Sequence, residues 1–334
     1  MKTKIVYVVV CGDNNTYIEQ AAVSACSVRR YNPDVEILLL VDKRTNELIN
    51  NGRNLIKDFI SEIIEVPVPS EYDNKMRSRY IKTTVRDNVQ GDYLFIDTDT
   101  VITGDLSEID NCEYELAAVC DLHTSLDKTP NLLMVDYQAK KMGWQLNQLD
   151  YKYFNSGVMY VKDTLLAHEF YKKWNKYWLI KANQGLYTDQ PALAYANSQC
   201  GYVIGELHGK WNCQLFVNGL PFLSSALIIH YFSSGINKRT MISPYYFSDQ
   251  NLLNYIYENQ KFPFDFFEYV DSPKEHAFPK DKTLILCGED SDVFKTDVVK
   301  FIYGQYYYHP SGFYLIKKIV DLYYWLKKHL RFIL

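Results

Sequence analysis

Four short apolar runs in the first hundred residues constrain this chain most. Residues 5–11 are apolar throughout, 35–41 and 63–66 are interrupted only by Glu36 and Glu65, and Tyr93–Ile96 completes the set. Runs of this kind, without polar alternation, read as strands buried on both faces. Helical periods separate them at 18–30, 46–60 and 75–89, with Asn32-Pro33 and Gly91 as punctuation. Strand and helix in alternation predict a parallel, Rossmann-like sheet in an α/β fold. Ligands of such sheets sit beyond the carboxyl ends of the strands. Asp13 and Asp97 both fall there.

The pattern continues with strand signals at 117–120, 158–161 and 226–229 and helices at 165–180 and 190–196. The stretch 123–150, with Pro130, Gly143 and Trp144, reads as a long irregular segment. Such a length inside a compact domain is usually functional. Beyond Pro244 the pattern loosens, and 313–334 is helical by period. At 334 residues, one large domain over 1–245 and a mainly helical extension over 246–334 account for the chain.

A formal net charge of −4 gives no general argument for nucleic acid. The seven Cys follow no CxxC spacing, as expected of reduced thiols in the cytoplasm. Lys2 and Lys4 precede an apolar run that imitates a signal peptide. That run is short and meets Asp13, Asn14 and Asn15 instead of a small-residue cleavage site. No stretch reads as a transmembrane helix.

Chemistry concentrates in four places. The first is Asp97-Thr98-Asp99, directly after an apolar strand and ahead of Gly104-Asp105-Leu106. Two carboxylates one residue apart suit a hard cation such as Mn²⁺ or Mg²⁺. The second is Asn155-Ser156-Gly157, a small amide-bearing turn opening into a strand. The third is Thr188-Asp189-Gln190-Pro191, which fits a helix N-cap with Pro in the first turn and also puts polar groups at a helix start. The fourth is His230 at a strand end, followed by Gly235 and Lys238. A histidine there can complete a metal site with two carboxylates or be an ordinary buried side chain.

In this order and spacing, LFIDTDTVITGDL, YFNSGVMYV, DQPAL and HYFSSGINK resemble glycosyltransferase family 8 over residues 1–245. The resemblance implies a GT-A fold, a UDP-sugar donor and retention at the anomeric carbon. It implies that Asp97, Asp99 and His230 bind Mn²⁺, with Mg²⁺ as the alternative. Asn155, Asp189 and Gln190 would surround the donor sugar. Cys11, Asp13 and Tyr17 would approach the uridine, and Thr98 the donor. Gly235 and Lys238 would meet the diphosphate, although SSGINKR replaces the family's usual Lys-Pro-Trp. Arg79 would match a donor-contacting arginine, with Arg77 and Lys82 as rivals.

The function expected is transfer of galactose or glucose to a glycan acceptor in cell-surface polysaccharide or lipopolysaccharide synthesis. Beside Asp189 and Gln190 no nucleophile announces itself for a double displacement, so attack on the leaving-group face is expected. In the tail, Leu315, Ile319, Leu322, Leu326, Leu330 and Ile333 recur at helical spacing, with Lys317, Lys318, Asp321, Lys328 and Arg331 largely off that stripe. A basic amphipathic helix suits an anionic membrane surface, here the inner face of the cytoplasmic membrane, and hence a lipid-linked acceptor. Packing on protein is the other reading of the same stripe. Two further readings compete for the whole chain. Leu94-Phe-Ile-Asp97-Thr-Asp99 also fits a haloacid-dehalogenase-like phosphatase with Asp97 as nucleophile. A domain that binds a nucleotide sugar without turnover is the other.

Overall fold

The computed structural model of the chain describes residues 1–129, 131–215, 218–231, 245–277, 293 and 296–330. These fall into two compact units, one of 1–231 with 245–277 and one of the described residues from 293 onward.

In the first unit the strands are β1 (Lys4–Val9), β2 (Ile37–Val41), β3 (Glu62–Glu65), β4 (Tyr93–Ile96), β5 (Thr100–Ile102), β6 (Leu116–Cys120), β7 (Phe154–Val161), β8 (Ile204–Glu206), β9 (Cys213–Gln214) and β10 (Ile228–His230). Among the described residues, seven form one sheet in the order β3-β2-β1-β4-β7-β6-β8, and β5-β10-β9 form a second. The helices are α1 (Tyr17–Tyr31), α2 (Lys43–Asn50), α3 (Asn74–Thr83), α4 (Val85–Asn88), α5 (Asn131–Lys141), α6 (Leu165–Ala182), α7 (Gln190–Gln199), α8 (Gln250–Asn259) and α9 (Phe266–Asp271).

The expected α/β class is present, and the apolar runs explain the layers. Alternate residues of each strand serve opposite faces. Tyr7, Leu39, Leu94 and Ile96 pack with Ile18, Ala21, Ala25 and Val28 of α1. Val6, Leu38, Phe95 and Met159 pack with Phe170, Tyr171, Trp174 and Trp178 of α6. Each side chain of this size stabilises by roughly 1.5–3 kcal/mol when fully buried.

The sheet departs from the expected all-parallel form. β7 runs antiparallel to both β4 and β6, whereas β1–β2, β1–β4, β2–β3 and β6–β8 pair in parallel. Three local expectations also differ. The helix expected at 46–60 starts earlier, capped by Asp42 accepting from the Thr45 amide at 3.1 Å, and stops before Gly52 at φ 130. The helix expected at 75–89 breaks between α3 and α4. There the Thr83 and Thr84 hydroxyls bond back to Tyr80 O at 3.2 and 2.8 Å, which bends helices. The stretch 123–150 contains α5, and its Gly143, at φ 73, lies just past the helix end instead of marking a loop.

The segment after Tyr245 packs with α1. Arg30 pairs with Asp271 at 2.6 Å, and the Tyr31 hydroxyl donates to Val270 O at 3.1 Å. In the second unit α10 (Asp297–Tyr308) and α11 (Pro310–Leu330) touch through Tyr306 and Phe313, ring centroids 5.0 Å apart. Among the described residues no helix is long and apolar enough to cross a membrane.

Candidate active site

Asp97 is the first residue past β4, and its amide donates to Gly157 O at 2.7 Å. Because β7 is antiparallel, its beginning meets the carboxyl end of β4, with Ile96 opposite Val158. That register sets Asn155, Ser156 and Gly157 beside Asp97. The turn expected here is therefore the opening of a strand.

The small sheet brings in the third residue of the cluster. β10 runs antiparallel to β5 with His230 opposite Thr100, and the Tyr231 amide donates to Asp99 O at 3.0 Å. One ligand atom each from Asp97, Asp99 and His230 lie within 4.8 Å of one another. Asp99 and His230 are buried.

Hydrogen bonding fixes the histidine. Asn212 gives its amide N–H to Asn155 Oδ1 at 3.0 Å, so its own Oδ1 faces His230 Nδ1, also 3.0 Å away. Nδ1 therefore carries the proton. Nε2 lies 3.1 Å from Asp99 Oδ1, a separation that a shared proton or a cation held by both can bridge. The two carboxylates and one imidazole fit a divalent cation of the Mn²⁺ or Mg²⁺ kind, and Asn212 is the outer partner that orients the ring. Gly157 floors the site. A Cβ there would lie 2.9 Å from both Asn155 Oδ1 and Asp97 Oδ2 and collide with His230 Cε1.

A cationic wall faces this cluster from α3. Arg79 and Lys82, three residues apart, share one side of the helix. Lys82 Nζ lies 3.0 Å from Asp97 Oδ1 and 3.6 Å from Asp189 Oδ2. Arg79 Nε lies 2.9 Å from Asp189 Oδ1, and the Ser156 hydroxyl donates to Asp189 Oδ2 at 3.0 Å. Burial pushes the Asp97 carboxyl up, with Lys82 opposing. At Asp189 burial is outweighed by Lys82 and Arg79, which hold the carboxyl well below the usual range. Asp189 is thus an ionised, doubly paired carboxylate.

Gln190 opens α7 and hydrogen-bonds Asp121, which also accepts from Asn155 Nδ2 at 2.9 Å. Burial raises Asp121, and these bonds counter it. Of the rivals to Arg79, Lys82 also reaches the site, whereas Arg77 turns to Asp42 at 3.1 Å. Thr98 Oγ1 donates to Gln20 Oε1 at 3.0 Å.

The loop before α1 carries the expected uridine residues. Cys11 is buried and its thiol donates to Asn15 Oδ1 at 2.7 Å. Asp13 is exposed and pairs with Arg44 at 2.6 Å. Tyr17 is exposed and within electrostatic reach of Arg79. Arg53, paired with buried Glu19, donates to Gly12 O at 3.3 Å and Asn15 O at 2.8 Å and so ties this loop down. Gly235 and Lys238 lie outside the described residues.

Asp121 and Asn212 were not singled out from the sequence. Asp121 stands at the carboxyl end of β6, as Asp97 does at β4, so the same rule finds it. Asn212 precedes a two-residue strand and carries no such signal.

The sequence profile of glycosyl transferase family 8 matches residues 8–239. No curated protein matches the chain. Among solved structures, the WbbM bifunctional glycosyltransferase is 16% identical with a TM-score of 0.48, over 81% of this chain and 51% of that one. The present chain thus spans about half the length of WbbM. The galactosyltransferase LgtC, solved with donor and acceptor sugar analogues, is 15% identical with a TM-score of 0.49, over 80% of this chain and 99% of that one. The glycosyltransferase GlyE of Streptococcus pneumoniae TIGR4 is 20% identical with a TM-score of 0.47, over 85% of this chain and 67% of that one. The profile covers well over half of the chain, from β1 through the Asp97–Asp99 pair to His230 and beyond, so the chain belongs to glycosyl transferase family 8.

Proposed function

We propose that this transferase moves galactose or glucose from a UDP-sugar to a glycan acceptor with retention, using Mn²⁺ or Mg²⁺ held by Asp97, Asp99 and His230. The observation that carries the reading is the cluster of Asp97, Asp99 and His230, in which His230 Nε2 lies 3.1 Å from Asp99 Oδ1. A divalent ion there supplies charge neutralisation for the departing diphosphate.

The protein's own groups divide the remaining work. Cys11, Asp13 and Tyr17 take the uridine, Thr98 lies along the donor, and Gly235 and Lys238 meet the diphosphate. Asn155, Asp189 and Gln190 surround the sugar, and Arg79 contacts the donor. Asp189 is held by Arg79, Lys82 and Ser156, which steadies its charge and lowers its reactivity as a nucleophile. This favours attack from the leaving-group face, with a donor phosphate oxygen accepting the acceptor's proton. A glycosyl adduct on Asp189, sought by mass spectrometry of trapped enzyme, would overturn that choice.

The acceptor fits a cavity of about 680 Å³ that begins one residue from Asp121. His123 and Phe222 stack at 4.7 Å on its wall, with Tyr151, Asp127 and Glu206 around it. Apolar ring surface beside carboxylates suits a sugar's faces and hydroxyls. The motif-bearing stretch 1–245 is taken as the catalytic domain, and 246–334 as its extension. Residues 313–334 would rest on the anionic inner face of the cytoplasmic membrane, where a lipid-linked precursor of lipopolysaccharide or surface polysaccharide is presented.

The test is release of UDP from a panel of UDP-sugars with Mn²⁺. One productive sugar names the donor, and loss of the signal in Asp99→Ala or with chelator ties it to the cluster. The phosphatase reading is not favoured. Turnover of p-nitrophenyl phosphate with no UDP release would reinstate it, and UDP binding without turnover on any acceptor would support a non-catalytic binder.

A further inference from the structure

One face of α6 offers three buried donors to three successive carbonyls. Trp174 Nε1 donates to Asp189 O at 3.1 Å, Trp178 Nε1 to Tyr187 O at 3.1 Å, and Lys181 Nζ to Thr188 O. Residues at i, i+4 and i+7 lie along one helix face, so a single rigid element grips the backbone that delivers Asp189 and Gln190. Lys181 does more than the tryptophans. Its Nζ also donates to Thr188 Oγ1 and to Gln138 Oε1 of α5, both at 2.7 Å, and Thr188 Oγ1 donates to the same Gln138 oxygen at 2.8 Å. Lys181 is wholly buried, yet each of these three acceptors is neutral. Burying a cation among neutral acceptors is costly, and burial lowers its pKa to about 8, with the charge of Asp189 opposing and that of Arg79 adding to the shift. A neutral side chain would have capped Thr188 at less cost, so a role beyond stability is indicated.

We propose that Lys181 is a positioning residue that makes the placement of Asp189 and Gln190 depend on the docking of α5. The proposal rests on the reading of those two as donor-sugar residues. α5 lies in the stretch 123–150, and Leu126 and Tyr153, next in sequence to the cavity-lining Ser125, Asp127 and Lys152, share a core cluster with its Val135. An acceptor that settles α5 would thereby settle Thr188 through Gln138 and Lys181, and with it the α7 start.

The test combines amide hydrogen exchange with UDP release in Lys181→Met, Gln138→Leu and Gln138→Glu of the full chain. In Lys181→Met and Gln138→Leu, protection should fall at residues 187–193 while β1, β4 and β7 keep theirs. UDP release should drop about tenfold or more in kcat, the scale expected when reacting groups shift slightly, with donor KM nearly unchanged. Gln138→Glu keeps an acceptor for the lysine and should behave as wild type. Unchanged exchange at 187–193 overturns the proposal. So does loss spread evenly over the sheet, which would make Lys181 merely structural. If Lys181→Met does not fold, Gln138→Leu decides by the same criteria. If the wild type releases no UDP from any sugar, the functional reading fails, while the exchange measurement still decides the coupling.

Discussion

Gly157 and His230 compete for the same space, and the site works because one of them has no side chain. Gly157→Ala would drive a methyl against His230 and the oxygens of Asn155 and Asp97. We expect UDP release to fall by about a hundredfold, as for a misplacement near 1 Å, and the Mn²⁺ requirement to rise, read by a metal titration of activity. His123 supplies a prediction on stability. Burial lowers its pKa to about 4 from an ordinary 6.5, while its ring accepts from the Gln214 amide at 3.1 Å. The folded state therefore holds fewer protons than the unfolded one between those values. The stability this contributes is complete above pH 6.5 and is lost as pH falls toward 4. His208 nearby acts in the same direction on His123. Urea unfolding at pH 7 and pH 4.5 should show His123→Asn losing less on acidification than wild type, by on the order of 2 kcal/mol.

At the scale of elements, the grip of Arg53 on the first loop is the most exposed to mutation. Arg53 and Glu19 are both buried, and Tyr257 of α8 lies over the guanidinium at 4.8 Å. Arg53→Met strands the Glu19 charge and should cost about 3–5 kcal/mol, measured by urea unfolding. Arg53→Met combined with Glu19→Met should regain most of that stability yet still bind UDP weakly, because Gly12 O and Asn15 O have lost their donor. What the sequence reveals of these elements follows a physical divide. The apolar runs and the Asp97–Asp99 pair are local, and they were legible as β1, β2, β4 and a carboxyl-end site. The direction of β7 was not, because a strand buried on both faces has the same apolar pattern whichever way it runs. The break at Thr84 was hidden for another reason. Two adjacent threonines are compatible with a helix until their hydroxyls find carbonyls. Lys82 entered only as a rival to Arg79, since nothing in the local pattern fixes which side of α3 faces the sheet end. Asn212 depends on pairings across dozens of residues and leaves no local trace, whereas Asp121 was open to the strand-end rule that found Asp97.

At the scale of the molecule, the second unit carries the question of where the enzyme works. On α11, Leu315, Ile319, Leu322, Tyr323 and Trp325 are exposed, and Lys317 and Lys318 accompany them. Apolar and aromatic surface with lysines partitions into anionic headgroups. Deleting 313–334 should abolish co-sedimentation with phosphatidylglycerol vesicles and leave UDP release from free donor within about twofold, since an interfacial anchor adds binding and not chemistry. Retained vesicle binding would show that this helix is not the anchor. Residues 245–277 belong to the first unit and pack on α1, whereas 313–330 belong to the second.

Asp99 and His230 meet across 131 positions of chain. Everything up to β7 can pair into the large sheet while the imidazole is still missing, for β10 is the last described strand to be made. During synthesis the chain therefore owns the sheet end that carries Asp97 long before it owns the whole Asp97–Asp99–His230 cluster. Folding of such distant contacts is slow, so the cluster is completed among the last events of assembly.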